Sequence, residues 1–145
     1  MLKKWLHSIY KQASFKDCNY TQPSQDAIVA KEQLIDENVI QQIISDTSIE
    51  VLPLLIDSYV QESQTRLAII EQALQQQDYA TLEFEAHTLA GTSLAMGVCA
   101  LGQLAKSIEQ ACLCKAHSDA INSARLLKDL AFHSQQALQQ LKEQL

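Results

Sequence analysis

Glycine and proline are scarce in this chain, three and two among 145 residues. So few turn formers cannot close the many hairpins of an all-β domain. Aromatic residues make up only 6%. No apolar run approaches the roughly 18 residues of a membrane-spanning helix. The opening MLKKWLHSIYK is basic, but His7 and Ser8 interrupt it before the apolar region of a secretory signal can form. Without a leader, the protein is expected to be cytoplasmic, with Cys18, Cys99, Cys112 and Cys114 as reduced thiols. A Gly-rich phosphate loop is also missing, as is a G-x-G-x-x-G motif after a strand, so no ATP or dinucleotide site is recognisable.

What is abundant is Ala, Leu, Gln and Glu, all favourable in helices. The length suits one domain, and the class expected is all-α. Charge is uneven. Lys3, Lys4, Lys11 and Lys16 stand in the first sixteen residues with no acid, while the remaining seven basic residues face seventeen acidic ones. A core that acidic lacks the basic footprint of a nucleic-acid binder.

Helical periodicity divides the chain. Residues 1–16 place Leu2, Trp5, Leu6, Ile9 and Ala13 on one face, with Lys4 and Lys11 opposite. This reads as an amphipathic helix that either docks on the protein or lies on an anionic membrane or in a partner's groove. Residues 17–31 contain Pro23 and mixed polar residues and read as a linker. The remainder, 32–145, is expected to fold as an antiparallel four-helix bundle preceded by a short helix. That short helix carries Ile35, Val39, Ile40, Ile43 and Ile44. A second, about seven turns long, carries Leu52, Leu55, Ile56, Tyr59, Leu67, Ile70 and Leu74, with Ser48 as expected N-cap and Pro53 in its first turn. A third begins at Asp78 and buries Leu82, Ala86, Leu89, Ser93 and Met96. Gly97 and Gly102 flank the next turn; a fourth helix carries Leu101, Leu104, Ile108 and Ala111. The last, with Ser118 as expected N-cap, carries Ile121, Leu127, Leu130, Ala137, Leu138 and Leu141.

One stretch of the third helix stands out: EAHTLAGTSLAMG, residues 85–97. Gly91 lies inside it, although Gly in a helix interior costs about 1 kcal/mol relative to Ala. A close approach of another group beside His87 would account for it. Neutral imidazole offers one ring nitrogen as a nucleophile while the other keeps its proton. Ala90, Gly91 and Leu94 share the histidine's face and are small or uncharged, so a partner could reach the ring. The same residues also suit a half-buried histidine satisfied by hydrogen bonds, with Gly91 serving helix packing alone.

AHTLAGTSLAMGVCALGQLAKSIEQA resembles the signature of histidine phosphotransfer (HPt) domains: Ala-His-x-Leu-x-Gly, a second Gly further on, then leucines and an acidic or amide residue. The preceding IDENVIQQIISDTSIEVLPLLIDSYVQES resembles the lead-in helices of the same family. The resemblance implies a phosphorelay intermediate with no kinase site, similar to standalone relays of the LuxU type. His87 would accept phosphate, Gly91 would give clearance to a receiver domain, and Glu109 would bond the other ring nitrogen. Ala90, Gly91 and Leu94 would belong to the receiver-docking face. The implied partners are receiver domains of a hybrid sensor kinase and of a response regulator. The implied cofactor is none, since no acidic cluster is ready for Mg²⁺ and the receiver would bring the metal.

One position departs from the family pattern: Ala90 stands where a lysine is usual. Lys106, three residues before Glu109 and on the same helix face, is the candidate replacement cation, against a reading as an ordinary solvated lysine. Thr92 and Ser93 are not assigned to the site, because helical hydroxyls commonly bond their own backbone. Cys112, Cys114 and His117 form a C-x-C-x-x-H cluster with no second pair of ligands, and no metal site is assigned to them. A monomeric relay is therefore expected. The competing readings are an adaptor bundle that docks receivers without chemistry, and a membrane-peripheral or metal-responsive helical protein.

Overall fold

The computed structural model describes residues 34–145; the expected amphipathic helix 1–16 and the linker 17–31 lie outside that range. Five helices follow one another: α1 (Glu37–Asp46), α2 (Leu52–Gln76), α3 (Tyr79–Ala95), α4 (Cys99–Leu113) and α5 (His117–Glu143). No strand occurs among the described residues.

The helices α2 to α5 form the antiparallel bundle, each packed on two neighbours in the cyclic order α2–α3–α4–α5. The apolar stripes read from the sequence point inward. Leu52, Ile56, Tyr59 and Ile70 of α2 are buried, as are Leu82, Ala86, Leu89 and Ser93 of α3 and Met96 just beyond it. Leu101, Leu104, Ile108 and Ala111 of α4 meet Leu127, Leu130 and Leu138 of α5 in the same core. With Glu85, Thr88, Ala90, Thr92 and Ala95 also buried, α3 is enclosed over most of its circumference.

Two helix starts differ from expectation. Ser48 does not cap α2: its carbonyl accepts from the Val51 amide at 3.2 Å, and the helix begins only at Leu52. Pro53 in the first turn explains that start, since it lacks an amide that would need a partner there. Ser118 lies inside α5, which starts at His117 after Ala116. The end of α4 leads directly into this start. Lys115 takes a positive φ of 56°, and the Ala116 amide bonds Ala111 O at 2.8 Å. Asp78, by contrast, caps α3 as expected, its carboxylate accepting from the Thr81 amide at 3.1 Å and the Thr81 hydroxyl at 2.7 Å.

Met96, Gly97 and Val98 make the α3–α4 turn, in which Gly97 takes a φ of 75°. Its carbonyl accepts the Asp36 amide at 2.7 Å, which fastens the start of α1 to this end of the bundle. Gly102, expected to flank the turn, lies inside α4. A Cβ there would lie 2.7 Å from Leu94 Cγ, so the two helices cross closely at this pair.

Polar contacts tie α2 to its neighbours. Tyr59 and Ser93 share a buried hydrogen bond of 2.7 Å, and burial raises the Tyr59 phenol above its ordinary pKa. Arg66 bonds the buried Glu85 at 2.9 Å and Glu62 at 3.3 Å. Asp57 and Lys142 pair at 2.7 Å across α2 and α5. Further along the same seam an apolar groove opens between Leu67, Leu74 and Phe132, remote from the α3–α4 face that carries His87.

Candidate functional site

Two contacts set the register between α3 and α4: Leu94 lies against Gly102, and His87 Nδ1 lies 2.7 Å from Glu109 Oε1. Seven residues separate the members of each helix, so the antiparallel pair stays in phase over two turns. Carried between these two contacts, the same register sets Ala90 of α3 level with Lys106 of α4.

The His87–Glu109 contact fixes the imidazole. An ionised carboxylate only accepts hydrogen bonds, so the ring proton belongs on Nδ1 and the lone pair on Nε2. The histidine side chain retains 30% of its exposure and Glu109 18%, so the pair straddles the edge of the core. A half-buried carboxylate also stabilises positive charge that develops on the ring. In its neutral form the imidazole so held offers its second nitrogen as a nucleophile, with the Glu109 carboxylate behind it to take up charge.

Around His87, each helical position is placed by its rotation of about 100° per residue. Glu83, Ala90 and Leu94 turn from the histidine towards α4, while Phe84 and Gly91 turn the other way. Ala90, expected on an exposed docking face, is only 5% exposed and belongs to the core. Its rotation into the α3–α4 seam, opposite Lys106, is the reason. Gly91 is half-buried and Leu94 is 37% exposed, so both retain surface beside the histidine. Phe84, one turn before His87, is 61% exposed. The sequence motif does not mark it, although its place off the Leu82–Ala86–Leu89–Ser93 stripe is a usable signal. A large exposed aromatic beside a reactive group is more informative than scattered surface apolars.

The hydroxyls play structural parts. Thr92 Oγ1 bonds its own helix at Thr88 O (3.1 Å), whereas Ser93 joins Tyr59 across the core. Cys112 is buried, and its thiol is pushed up to about 11 by burial, with Glu83 and Glu109 adding to the effect. Cys114 Sγ accepts a 3.7 Å contact from Gln110, and His117 stacks flat on Tyr79 with ring centroids 3.8 Å apart. The cluster Cys112, Cys114 and His117 is thus drawn into three separate environments. Among the described residues no group of three His, Cys, Asp or Glu side chains could hold a metal ion. Cys99, Cys112 and Cys114 form no disulfide. No helix among the described residues is long and apolar enough to cross a membrane.

The fold is similar to that of histidine-containing phosphotransfer protein B (HptB) from Pseudomonas aeruginosa PAO1, with a TM-score of 0.73 at 22% sequence identity. The likeness covers 77% of this chain and 96% of that one. No curated protein matches the sequence. The family model for the Hpt domain matches residues 54–145, which contain both His87 and Glu109. On that match the chain belongs to the Hpt domain family, whose members are histidine phosphotransfer intermediates of phosphorelays without a kinase site of their own.

Proposed function

We propose that His87 accepts phosphate from a receiver-domain aspartate and passes it to the aspartate of a second receiver, in a two-component phosphorelay. The observation that carries this reading is the 2.7 Å contact between His87 Nδ1 and Glu109 Oε1. With the proton on Nδ1, the Nε2 lone pair attacks the phosphorus of the aspartyl phosphate. The Nε2–P bond forms, the P–O bond to the aspartate breaks, and its electron pair leaves with the aspartate carboxylate. The ring, still protonated at Nδ1, becomes cationic, and Glu109 neutralises that charge. Transfer to the second receiver runs the same step in reverse, with its aspartate as nucleophile.

Lys106 takes the part of the lysine that the family usually has at the Ala90 position. The helix register supports this, because Lys106 stands opposite Ala90 and three residues before Glu109. A cation borne on α4 can reach the same phosphate as one borne on α3. Phe84, Gly91 and Leu94 offer an apolar collar around His87, suited to a receiver's own apolar docking face. Gly91 gives the collar its low point. We place the protein in the cytoplasm as a monomer, with a hybrid sensor kinase upstream and a response regulator downstream.

Incubation with phosphorylated receiver domains tests the reading. The wild type should take up acid-labile phosphate and His87→Gln should take up none. Equal labelling of His87→Gln would refute the site, and binding of receivers without labelling of either protein would favour an adaptor.

A further inference from the structure

His87 has an acidic neighbour that the transfer step does not use. Glu83 lies four residues before it on α3, half-buried and rotated about 40° towards α4. Side chains of a helix lean towards its N-terminus, so the imidazole of His87 overlies the turn that contains Glu83 and Phe84. Residues so spaced have Cβ atoms about 6 Å apart. On the facing helix, Cys112 stands three residues beyond Glu109. Both Glu83 and Glu109 act on its buried thiol, which places the two carboxylates along one strip of the α3–α4 seam. Lys106, opposite Ala90, lies on the other side of the histidine along that strip.

We propose that Glu83 destabilises the phosphorylated state of His87 by charge repulsion, so that the protein passes phosphate onward rather than storing it. The proposal rests on His87 being the phosphate carrier. Glu109 is adjacent to the ring nitrogen that becomes cationic and is compensated by it. Glu83 has no such compensation: one turn from the ring, it faces a group of charge near −2 at neutral pH. Lys106 pulls on the phosphate from one direction while Glu83 pushes from the other. Their balance sets how the phosphate partitions between His87 and a receiver aspartate. Because partition is an equilibrium, it separates this effect from any influence of Glu83 on docking rates.

The test charges the full-length wild type, Glu83→Gln and Glu83→Asp with phosphoramidate. Each is then mixed with one receiver domain, and the phosphate on each protein is read at equilibrium. Glu83→Gln should hold roughly three- to tenfold more phosphate relative to the receiver, as expected for removing one like charge at this range in a half-exposed site. Glu83→Asp should stay near the wild type, and the gap to Glu83→Gln should narrow as salt is raised. An unchanged partition in Glu83→Gln overturns this proposal alone, as does a Glu83→Asp protein that behaves like Glu83→Gln. A wild type that takes no phosphate on His87 overturns the reading beneath it as well.

Discussion

In the proposed relay, single side chains decide the chemistry around His87, and most of them act through charge. Glu109 holds the ring by Nδ1 at 2.7 Å and, on that proposal, answers the charge that transfer creates there. Lys106 is the proposed counterpart for the phosphate itself. If it replaces the usual lysine, Lys106→Ala should shorten the lifetime of phosphohistidine and shift phosphate towards the receiver, while Lys106→Arg should retain most of the effect. Following decay of labelled protein over time checks this. An unchanged uptake and lifetime in Lys106→Ala would leave the lysine as an ordinary solvated residue. The expected direction is opposite to that for Glu83→Gln, so the two variants together test whether charge, rather than side-chain packing, governs the site.

At the scale of elements, the α3–α4 pair is the working part and its register depends on Gly102. A methyl group added there would sit 2.7 Å from Leu94 Cγ and 3.2 Å from the Leu94 amide nitrogen. The leucine can yield somewhat, but the backbone contact forces the helices apart. Gly102→Ala should therefore cost about 1–3 kcal/mol, in line with other overpacked sites, and slow phosphate uptake by moving Glu109 relative to His87. Denaturant unfolding and transfer kinetics measure the two effects, and a variant with full stability and full rate would contradict this account of the register. The same pair shows what could be read from sequence. The stripe Leu82–Ala86–Leu89–Ser93 was legible because burial repeats with the helical period, and Glu109 came from the motif. The sequence reads Gly102 only as a residue flanking the turn, because glycine marks both turns and close helix crossings, and only the facing Leu94 reveals the crossing. Ser48 and Ser118 were assigned as caps on residue type, whereas the neighbouring Pro53 and the reversal at Lys115 determine the starts. Ala90 was placed on the surface because face-sharing with His87 does not reveal which flank the next helix covers. The ion pair of Arg66 with Glu85 had no signature at all, since it joins positions on different helices.

Taken together, the described helices form a frame that holds His87 at the edge of the core. The α3 helix is enclosed on most sides, so the histidine at its edge is carried by an element with little freedom to reorient. Buried polar ties between α2 and α3, at Tyr59–Ser93 and Arg66–Glu85, specify how that element sits in the bundle. Leaving Glu85 without its cation would bury an unpaired carboxylate, which is why Arg66 belongs to the frame although it is remote from the chemistry. Acidity is a property of this scale too. The chain carries a net charge of −6, so in the proposed relay a receiver would dock through the apolar collar and Lys106 rather than through a basic field. The proposed relay turns on where the phosphate is attached. Phosphorus and nitrogen NMR of ¹⁵N-histidine-labelled protein, charged by a phosphorylated receiver domain, reads that atom directly. Phosphate is expected on Nε2 of His87, with Nδ1 still protonated towards Glu109. Phosphate on Nδ1, or on any residue other than His87, would contradict it.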